Sequence, residues 1–160
     1  MKNIVLVRID DRLIHGQVVT AWIKQTGGNR IIIVDEALTK DVFMQRILRA
    51  AAPPGINVEV FAVAEAAEIL KGEAEAGEKI VILVKTPFPI KELIESGVSV
   101  EKVILGGMGA KAGRKKFNKN VSASPEEVDC MKNIVQSGVK IYYQLVPSES
   151  PTDMGKILNS

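Results

Sequence analysis

Short apolar runs alternate along the chain with longer segments in which apolar residues recur at helical spacing. The runs are rich in β-branched side chains, as expected for strands buried on both faces of a parallel sheet. This alternation predicts an α/β fold with a single doubly wound, mostly parallel β-sheet and helices on both faces. No repeat, low-complexity tract or linker divides residues 1–160, so we expect one domain. The predicted strands are Ile4–Ile9, Ile31–Val34, Val58–Val63, Ile80–Val84, Val103–Leu105 and Val139–Tyr143.

Three segments between the strands carry explicit helix signals. Thr39 can cap a helix whose apolar face carries Val42, Phe43, Ile47 and Leu48. Pro89 can start a short helix that ends at Gly97. Ser124 to Glu127 has the residues of a capping box, with proline in the first turn, and predicts a long helix that ends at Gly138. The tail predicts a short helix from Pro151 that docks Met154, Ile157 and Leu158 on the core.

One segment, Lys111 to Asn120, fits neither period. It contains five basic residues and no acidic residue, which indicates an exposed loop or an edge hairpin. Such a segment usually only solvates an edge. It can also steer an acidic protein surface toward a nearby site, or bind a polyphosphate backbone. Because Phe117 is the only aromatic residue among the lysines, nucleic acid is the least favoured of these ligands.

Composition excludes several classes of site. The chain has one cysteine and one histidine, so we expect no disulfide, no cysteine or multi-histidine metal site, and no cofactor. The single cysteine, Cys130, falls within a predicted helix and is interpreted as a structural thiol. The first apolar run is too short for a signal peptide, and no stretch approaches the roughly 20 apolar residues of a membrane span. A cytoplasmic protein is therefore expected.

The only histidine, His15, follows the first predicted strand. In a doubly wound sheet, ligands bind outside the carboxyl ends of the strands. Two arginines, Arg8 and Arg12, and the start of a helix lie close to His15 in the sequence, and helix N-termini bind anions. Imidazole is a competent nucleophile near neutral pH, and phosphoryl transfer requires alignment and charge compensation. These residues therefore favour a phosphoryl site, in which Asp10 or Asp11 would orient the imidazole.

A simpler interpretation applies to the same residues. A lone histidine after a strand is more often a surface or capping residue, and an Asp-Asp-Arg run is usually a solvated turn. Position alone does not decide between the two.

The stretch from Val7 to Val18 closely resembles the signature of the IIB components of the mannose/fructose/sorbose branch of the sugar phosphotransferase system (PTS). Later landmarks of that family occur in the right order: Ile33-Val34-Asp35-Glu36, Ala52-Pro53-Pro54-Gly55, Lys85-Thr86-Pro87, Leu105-Gly106-Gly107-Met108 and Gln144-Leu145-Val146-Pro147. The resemblance implies that His15 accepts a phosphoryl group, on Nδ1, from a phosphohistidine of a IIA (EIIA) domain. It also implies delivery to a sugar that enters through the membrane components IIC and IID (EIIC/EIID), with which the protein would associate peripherally. No fused IIA domain precedes the motif, so a separate IIA chain is expected.

The remaining expectations concern the lining of this site and its partners. Arg8 and Arg12 would balance the phosphoryl charge, and the amides from Leu13 through Ile14 and Gly16 to Gln17 would line the pocket. Lys85 and Thr86 would contact phosphoryl oxygens, although Thr86 can equally cap the next helix. A homo-oligomer is possible, and no nucleic-acid partner is expected. The alternative function is a non-enzymatic regulatory module that binds a nucleotide or a phosphorylated metabolite.

Overall fold

The computed structural model describes residues 1–159, and Ser160 lies outside the described residues. Its strands are β1 (Ile4–Asp10), β2 (Arg30–Val34), β3 (Asn57–Phe61), β4 (Ile80–Val84), β5 (Lys102–Gly107), β6 (Lys115–Asn118), β7 (Val121–Ala123), β8 (Lys140–Tyr143) and β9 (Thr152–Asp153). Its α-helices are α1 (Gly16–Thr26), α2 (Val42–Ala51), α3 (Val63–Lys71), α4 (Phe88–Glu95), α5 (Pro125–Gln136) and α6 (Met154–Leu158). A 3₁₀ helix spans Ala37–Lys40. Among these described helices, none is long and apolar enough to cross a membrane.

Seven strands form one sheet in the order β3-β2-β4-β1-β5-β8-β9, in which every neighbouring pair is parallel except β8 and β9. The first strand lies near the middle, between β4 and β5, because the chain moves to one side of β1 and later returns to the other. This reversal of strand order beside β1 is where a doubly wound sheet binds its ligands. The predicted doubly wound, mostly parallel sheet is confirmed.

The core has two layers, one on each face of the sheet. Helices α1 and α2 pack on one face through residues such as Val19, Trp22 and Leu48. Helices α3 to α6 pack on the other face, where Cys130 is buried and desolvation raises the pKa of its thiol to about 11. Cys130 is therefore held as a neutral thiol, consistent with a structural role.

Helix α2 differs from its prediction. Its N-cap is Asp41, whose carboxylate accepts a hydrogen bond from the Met44 amide, and Thr39 lies in the preceding 3₁₀ helix. Leu48 is buried as expected, but Val42, Phe43 and Ile47 are exposed. The expectation that these three residues share one apolar face with Leu48 was wrong, since Leu48 packs in the core and the other three face solvent.

The helix-capping signals predicted in the C-terminal half of the chain are confirmed. The capping box is formed, because Ser124 and Glu127 exchange side-chain-to-backbone hydrogen bonds at the start of α5. The tail contains the short strand β9 before α6, which buries Met154 and Leu158. The basic segment is an antiparallel hairpin of β6 and β7, held beside β5 by two backbone hydrogen bonds of Met108. This agrees with the edge hairpin that was one of its two interpretations.

Candidate functional site

Alternate side chains of β1 form the base of the site. Successive side chains of a strand point to opposite faces, so Leu6, Arg8 and Asp10 share the face covered by α1. Val7 and Ile9 enter the core on the opposite face. The strand therefore brings one cation and one anion beneath the beginning of α1, at the carboxyl edge of the sheet.

A tight turn connects Asp10 to α1. The Asp11 amide donates to the carbonyl of Gly107 (3.1 Å), and the Leu13 amide donates to the carbonyl of Asp10 (2.9 Å). Leu13 has a φ of 57°, a left-handed conformation that is unusual for a residue other than glycine. Burial of the Leu13 and Ile14 side chains in the core holds the turn in this shape. His15 follows as the N-cap of α1.

The imidazole of His15 contacts Asp10. Nε2 of His15 lies 3.2 Å from Oδ2 of Asp10, and the histidine side chain is 22% exposed. Within residues 1–159, Nδ1 of His15 has no hydrogen-bond partner. A carboxylate can only accept, so the neutral ring that suits this contact carries its proton on Nε2 and a free electron pair on Nδ1.

Asp10 is the buried anion on which the cluster centres. Its carboxylate accepts hydrogen bonds from the Arg12 amide (3.0 Å), from Arg12 Nε (3.1 Å) and Nη2 (3.1 Å), and from Arg8 Nη2 (3.3 Å). Burial works to raise the pKa of Asp10, but the hydrogen bonds from Arg12 and the positive charges of both arginines outweigh burial and lower it. Asp10 is therefore ionised at neutral pH. Of the two aspartates expected to orient the imidazole, Asp10 is the one in contact with it.

Arg8 lies beneath this cluster and not at the surface. Its side chain is 1% exposed, donates from Nη1 to the carbonyl of Gln144 (2.9 Å), and lies 5.4 Å from the ring centre of Trp22. Burial lowers the pKa of Arg8, and the Asp10 carboxylate opposes that shift. Arg8 was expected to balance the phosphoryl charge; its guanidinium is buried under Asp10, so direct contact with a bound phosphoryl group is blocked, and charge compensation by Arg8 remains a prediction.

Arg12 is placed differently from Arg8. Its side chain is 51% exposed while Nε and Nη2 remain bonded to Asp10, and the hydrogen bond to Asp10 raises the pKa of Arg12. One face of the guanidinium is thus fixed by the protein and the rest is open to solvent. A fixed, exposed arginine next to an imidazole is suited to binding a phosphoryl oxygen.

The N-terminus of α1 is open on the same side. No side chain caps it and its first turn contains no acidic residue, so the unpaired amides at the start of the helix, from Gly16 and Gln17, remain available to an anion. Gly16 has a φ of 48°, which glycine adopts at little cost. The amide of Leu13, by contrast, is already bonded within the turn. Of the expected lining residues, Gly16 and Gln17 thus lie at the open helix end, whereas Leu13 and Ile14 anchor the turn.

Asp11 has a role that the sequence analysis did not predict. Its Oδ2 accepts a hydrogen bond from the Gly109 amide (2.7 Å) and lies 3.5 Å from Nη1 of Arg114. Arg114 in turn donates to both carboxylate oxygens of Glu127 (2.9 and 2.7 Å), and its side chain is 2% exposed. The sequence pattern predicts Arg114 as one of the exposed basic residues. That prediction is wrong, because the Arg114 side chain is buried against Glu127 at the start of α5, which neutralises its charge. Arg114 and Glu127 belong to different parts of the fold, so no local sequence pattern indicates this pairing.

Lys85 and Thr86 follow β4, whose Val84 pairs with Ile9 of β1, so both lie at the same sheet edge as His15. The ammonium of Lys85 is 4.0 Å from a carboxylate oxygen of Asp35. Asp35 follows β2, which lies on the side of β4 away from β1 and His15. The N-cap of α4 is Pro87, so Thr86 does not cap that helix. Phosphoryl contacts from Lys85 and Thr86 remain a prediction.

Comparison with known proteins gives matches over nearly the whole chain. Residues 4–160 match the family model of the PTS system sorbose subfamily IIB component. The sorbose-specific EIIB component of Lacticaseibacillus casei is 36% identical over 94% of this chain and 92% of its own length. The fructose-specific EIIB component of Bacillus subtilis is 32% identical over all of this chain and 98% of its own. The crystal structure of the IIB domain of the sorbose permease of Klebsiella pneumoniae superimposes with a TM-score of 0.91, at 32% identity, over 98% of this chain and 96% of that one.

The chain therefore belongs to the sorbose subfamily of IIB components of the phosphotransferase system. It is a phosphotransferase, the phosphocarrier subunit of a sugar transport system. Membership implies IIA and IIC partners and a sugar. None of the relatives named above is described as a nucleotide-binding regulator, so nothing supports the alternative of a non-enzymatic module.

Gly106 tests the packing of this cluster. A Cβ atom there would lie 2.2 Å from Nη2 and 2.4 Å from Cζ of Arg8, so Gly106→Ala must displace the buried guanidinium. At Gly107 a Cβ would meet only ordinary contacts, the nearest being Arg12 Nη2 at 3.4 Å. We expect Gly106→Ala to lower the free energy of unfolding by about 1–3 kcal/mol, as overpacking does, and Gly107→Ala to change it by less than about 0.5 kcal/mol. Chemical denaturation of both variants measures this, and equal stabilities would contradict the packing of Arg8 on Gly106.

Proposed function

We propose that His15 is the phosphorylated residue and that the reacting atom is Nδ1. The observation that carries this proposal is the contact between Nε2 of His15 and the ionised Asp10, which leaves the Nδ1 electron pair free. Nδ1 attacks the phosphorus of a phosphohistidine on a IIA protein. A new P–N bond forms at His15, the P–N bond of the donor breaks, and the donor imidazole leaves with that electron pair.

The neighbouring residues supply alignment and charge compensation. Asp10 holds the ring and keeps its proton on Nε2. Arg12 and the open amides at the start of α1 neutralise the equatorial phosphoryl oxygens, which is most of what phosphoryl transfer requires of a protein. Arg8 acts through Asp10, which it supports from below. The phosphoryl group then passes to a sugar carried by the membrane components IIC and IID, while the protein is bound to them from the cytoplasm.

His15→Ala tests the assignment directly. With phosphoenolpyruvate, the general phosphotransferase proteins and a cognate IIA, the wild-type chain should acquire one acid-labile phosphate. The variant should acquire none, since His15 is the chain's only histidine. Acid-labile phosphate on His15→Ala in this assay would refute the assignment.

Arg12→Ala tests charge compensation. Because Arg12 donates two side-chain hydrogen bonds to the buried Asp10, we expect the thermal midpoint to fall, but the variant should stay folded because Arg8 and the backbone amide at position 12 still bond that carboxylate. The rate constant for transfer from phosphorylated IIA should fall roughly 100-fold, the scale seen when one oxyanion donor is removed. Arg46→Ala is the matched control, because Arg46 is an exposed arginine of α2 away from His15. An Arg12→Ala variant that is unfolded at the assay temperature, or an equal loss of rate in Arg46→Ala, would count against this role.

A further inference from the structure

The charge of this protein is unevenly distributed along the chain. The sequence contains 21 Lys and Arg and 19 Asp and Glu. Five of the cations lie between Lys111 and Lys119, so the rest of the chain has 16 cations against 19 anions and is net negative. The weak positive charge of the whole protein therefore comes from the β6–β7 hairpin.

Most of this hairpin charge is exposed and has no counterion. Arg114 is buried and neutralised by Glu127, as described above. Lys111, Lys115 and Lys116 are exposed, and within residues 1–159 none of them has an ion-pair partner within 4.0 Å. Lys119 is also exposed, and its ammonium lies 5.5 Å from the ring centre of Tyr143.

The hairpin is fixed to the loop that carries His15. Asp11 accepts the Gly109 amide at 2.7 Å and approaches Arg114, while Arg114 ties the start of β6 to the N-terminus of α5 through Glu127. Met108 adds backbone hydrogen bonds to the β6–β7 turn and to β7. The lysines therefore extend from a structured segment that is bonded, through Gly109 and Arg114, to the loop that carries His15.

Any partner that exchanges a phosphoryl group with His15 must cover this edge of the sheet. A standard protein interface buries about 800 Å² on each partner, which corresponds to a circular patch of about 16 Å radius. Neighbouring strands are about 4.8 Å apart, so a patch of that size centred on β1 extends past β5 to the hairpin beside it.

We propose that the lysine hairpin, Lys111 to Lys119, is a docking surface for an acidic face of the phosphorylated IIA donor. This inference rests on the proposed function, because it assumes that a phosphohistidine protein approaches His15. A phosphorylated donor carries about −1.5 to −2 more charge than the same protein after transfer. A positive potential beside His15 therefore attracts the loaded donor more strongly than the spent one. The sugar acceptor brings no such charge, which favours the donor over the membrane components as the occupant.

The experiment compares lysines at opposite edges of the sheet. In Lys115→Glu/Lys116→Glu, the rate of phosphoryl transfer from phosphorylated IIA to the whole chain is measured at several salt concentrations. The matched control is Lys102→Glu/Lys140→Glu, an exposed pair of lysines directly opposite each other at the amino ends of β5 and β8. It changes the net charge equally but lies away from His15.

We expect kcat/KM of the hairpin variant to fall about tenfold at low salt, with kcat unchanged and a shallower dependence on salt. The control variant should remain within about twofold of the wild type. Affinity for phosphorylated IIA relative to unphosphorylated IIA should also fall in the hairpin variant alone. Because the lysines are exposed, both variants should keep the thermal midpoint of the wild type.

Four results would overturn the proposal. Equal losses in the two variants would mean that only net charge matters, and a loss of kcat at unchanged KM would mean that the hairpin does not act in docking. Normal transfer from IIA with impaired delivery to the sugar would assign the hairpin to the membrane components. Loss of binding to anionic lipid vesicles with normal transfer would assign it to the membrane surface. Failure of this proposal would leave His15 phosphorylated in the hairpin variant. Failure of the proposed function would instead appear as phosphate retained on His15→Ala, so the two failures are distinguishable.

Discussion

The site depends on a single buried carboxylate. Asp10 accepts hydrogen bonds from Arg8 and Arg12 and contacts Nε2 of His15, so one anion holds two cations and an imidazole in fixed positions. An unpaired carboxylate is costly to bury, and the arginines offset that cost by stabilising its charged form. Because the folded-state pKa of Asp10 is lowered, its contribution to stability is present at neutral pH and is lost only as the pH falls below the usual range of an aspartate. The arrangement therefore persists at neutral pH, where the imidazole must act as a nucleophile.

Much of the fold follows from local signals in the sequence. The six predicted strands are six of the seven strands of the main sheet, because continuous β-branched runs suit strands buried on both faces. The capping box at Ser124 is formed, since its residues are sufficient to satisfy the first amides of α5. The position of His15 at the carboxyl edge also follows from the order of strand, loop and helix. The family resemblance then assigned a chemistry that position alone did not decide.

Features that depend on contacts distant in sequence could not be predicted in the same way. Arg8 is buried because Gly106, on the neighbouring β5, leaves room for its guanidinium. Arg114 looked like one more exposed cation until Glu127 was placed beside it. Phe43 has the helical spacing of a core residue, yet no element within residues 1–159 covers that side of α2. In each case the environment is set by which elements become neighbours, and a local pattern does not contain that information.

The central claim is that Asp10 fixes the tautomer of His15 and so selects Nδ1 as the reacting atom. Long-range proton–nitrogen NMR correlation of the unphosphorylated protein, labelled with nitrogen-15 and measured with the His15 ring neutral, tests this most directly. The account predicts a pyrrole-type nitrogen with its proton at Nε2 and a pyridine-type nitrogen at Nδ1, with Nδ1 acquiring the phosphorus coupling after phosphorylation. A proton resident on Nδ1, or phosphorus bonded to Nε2, would contradict it.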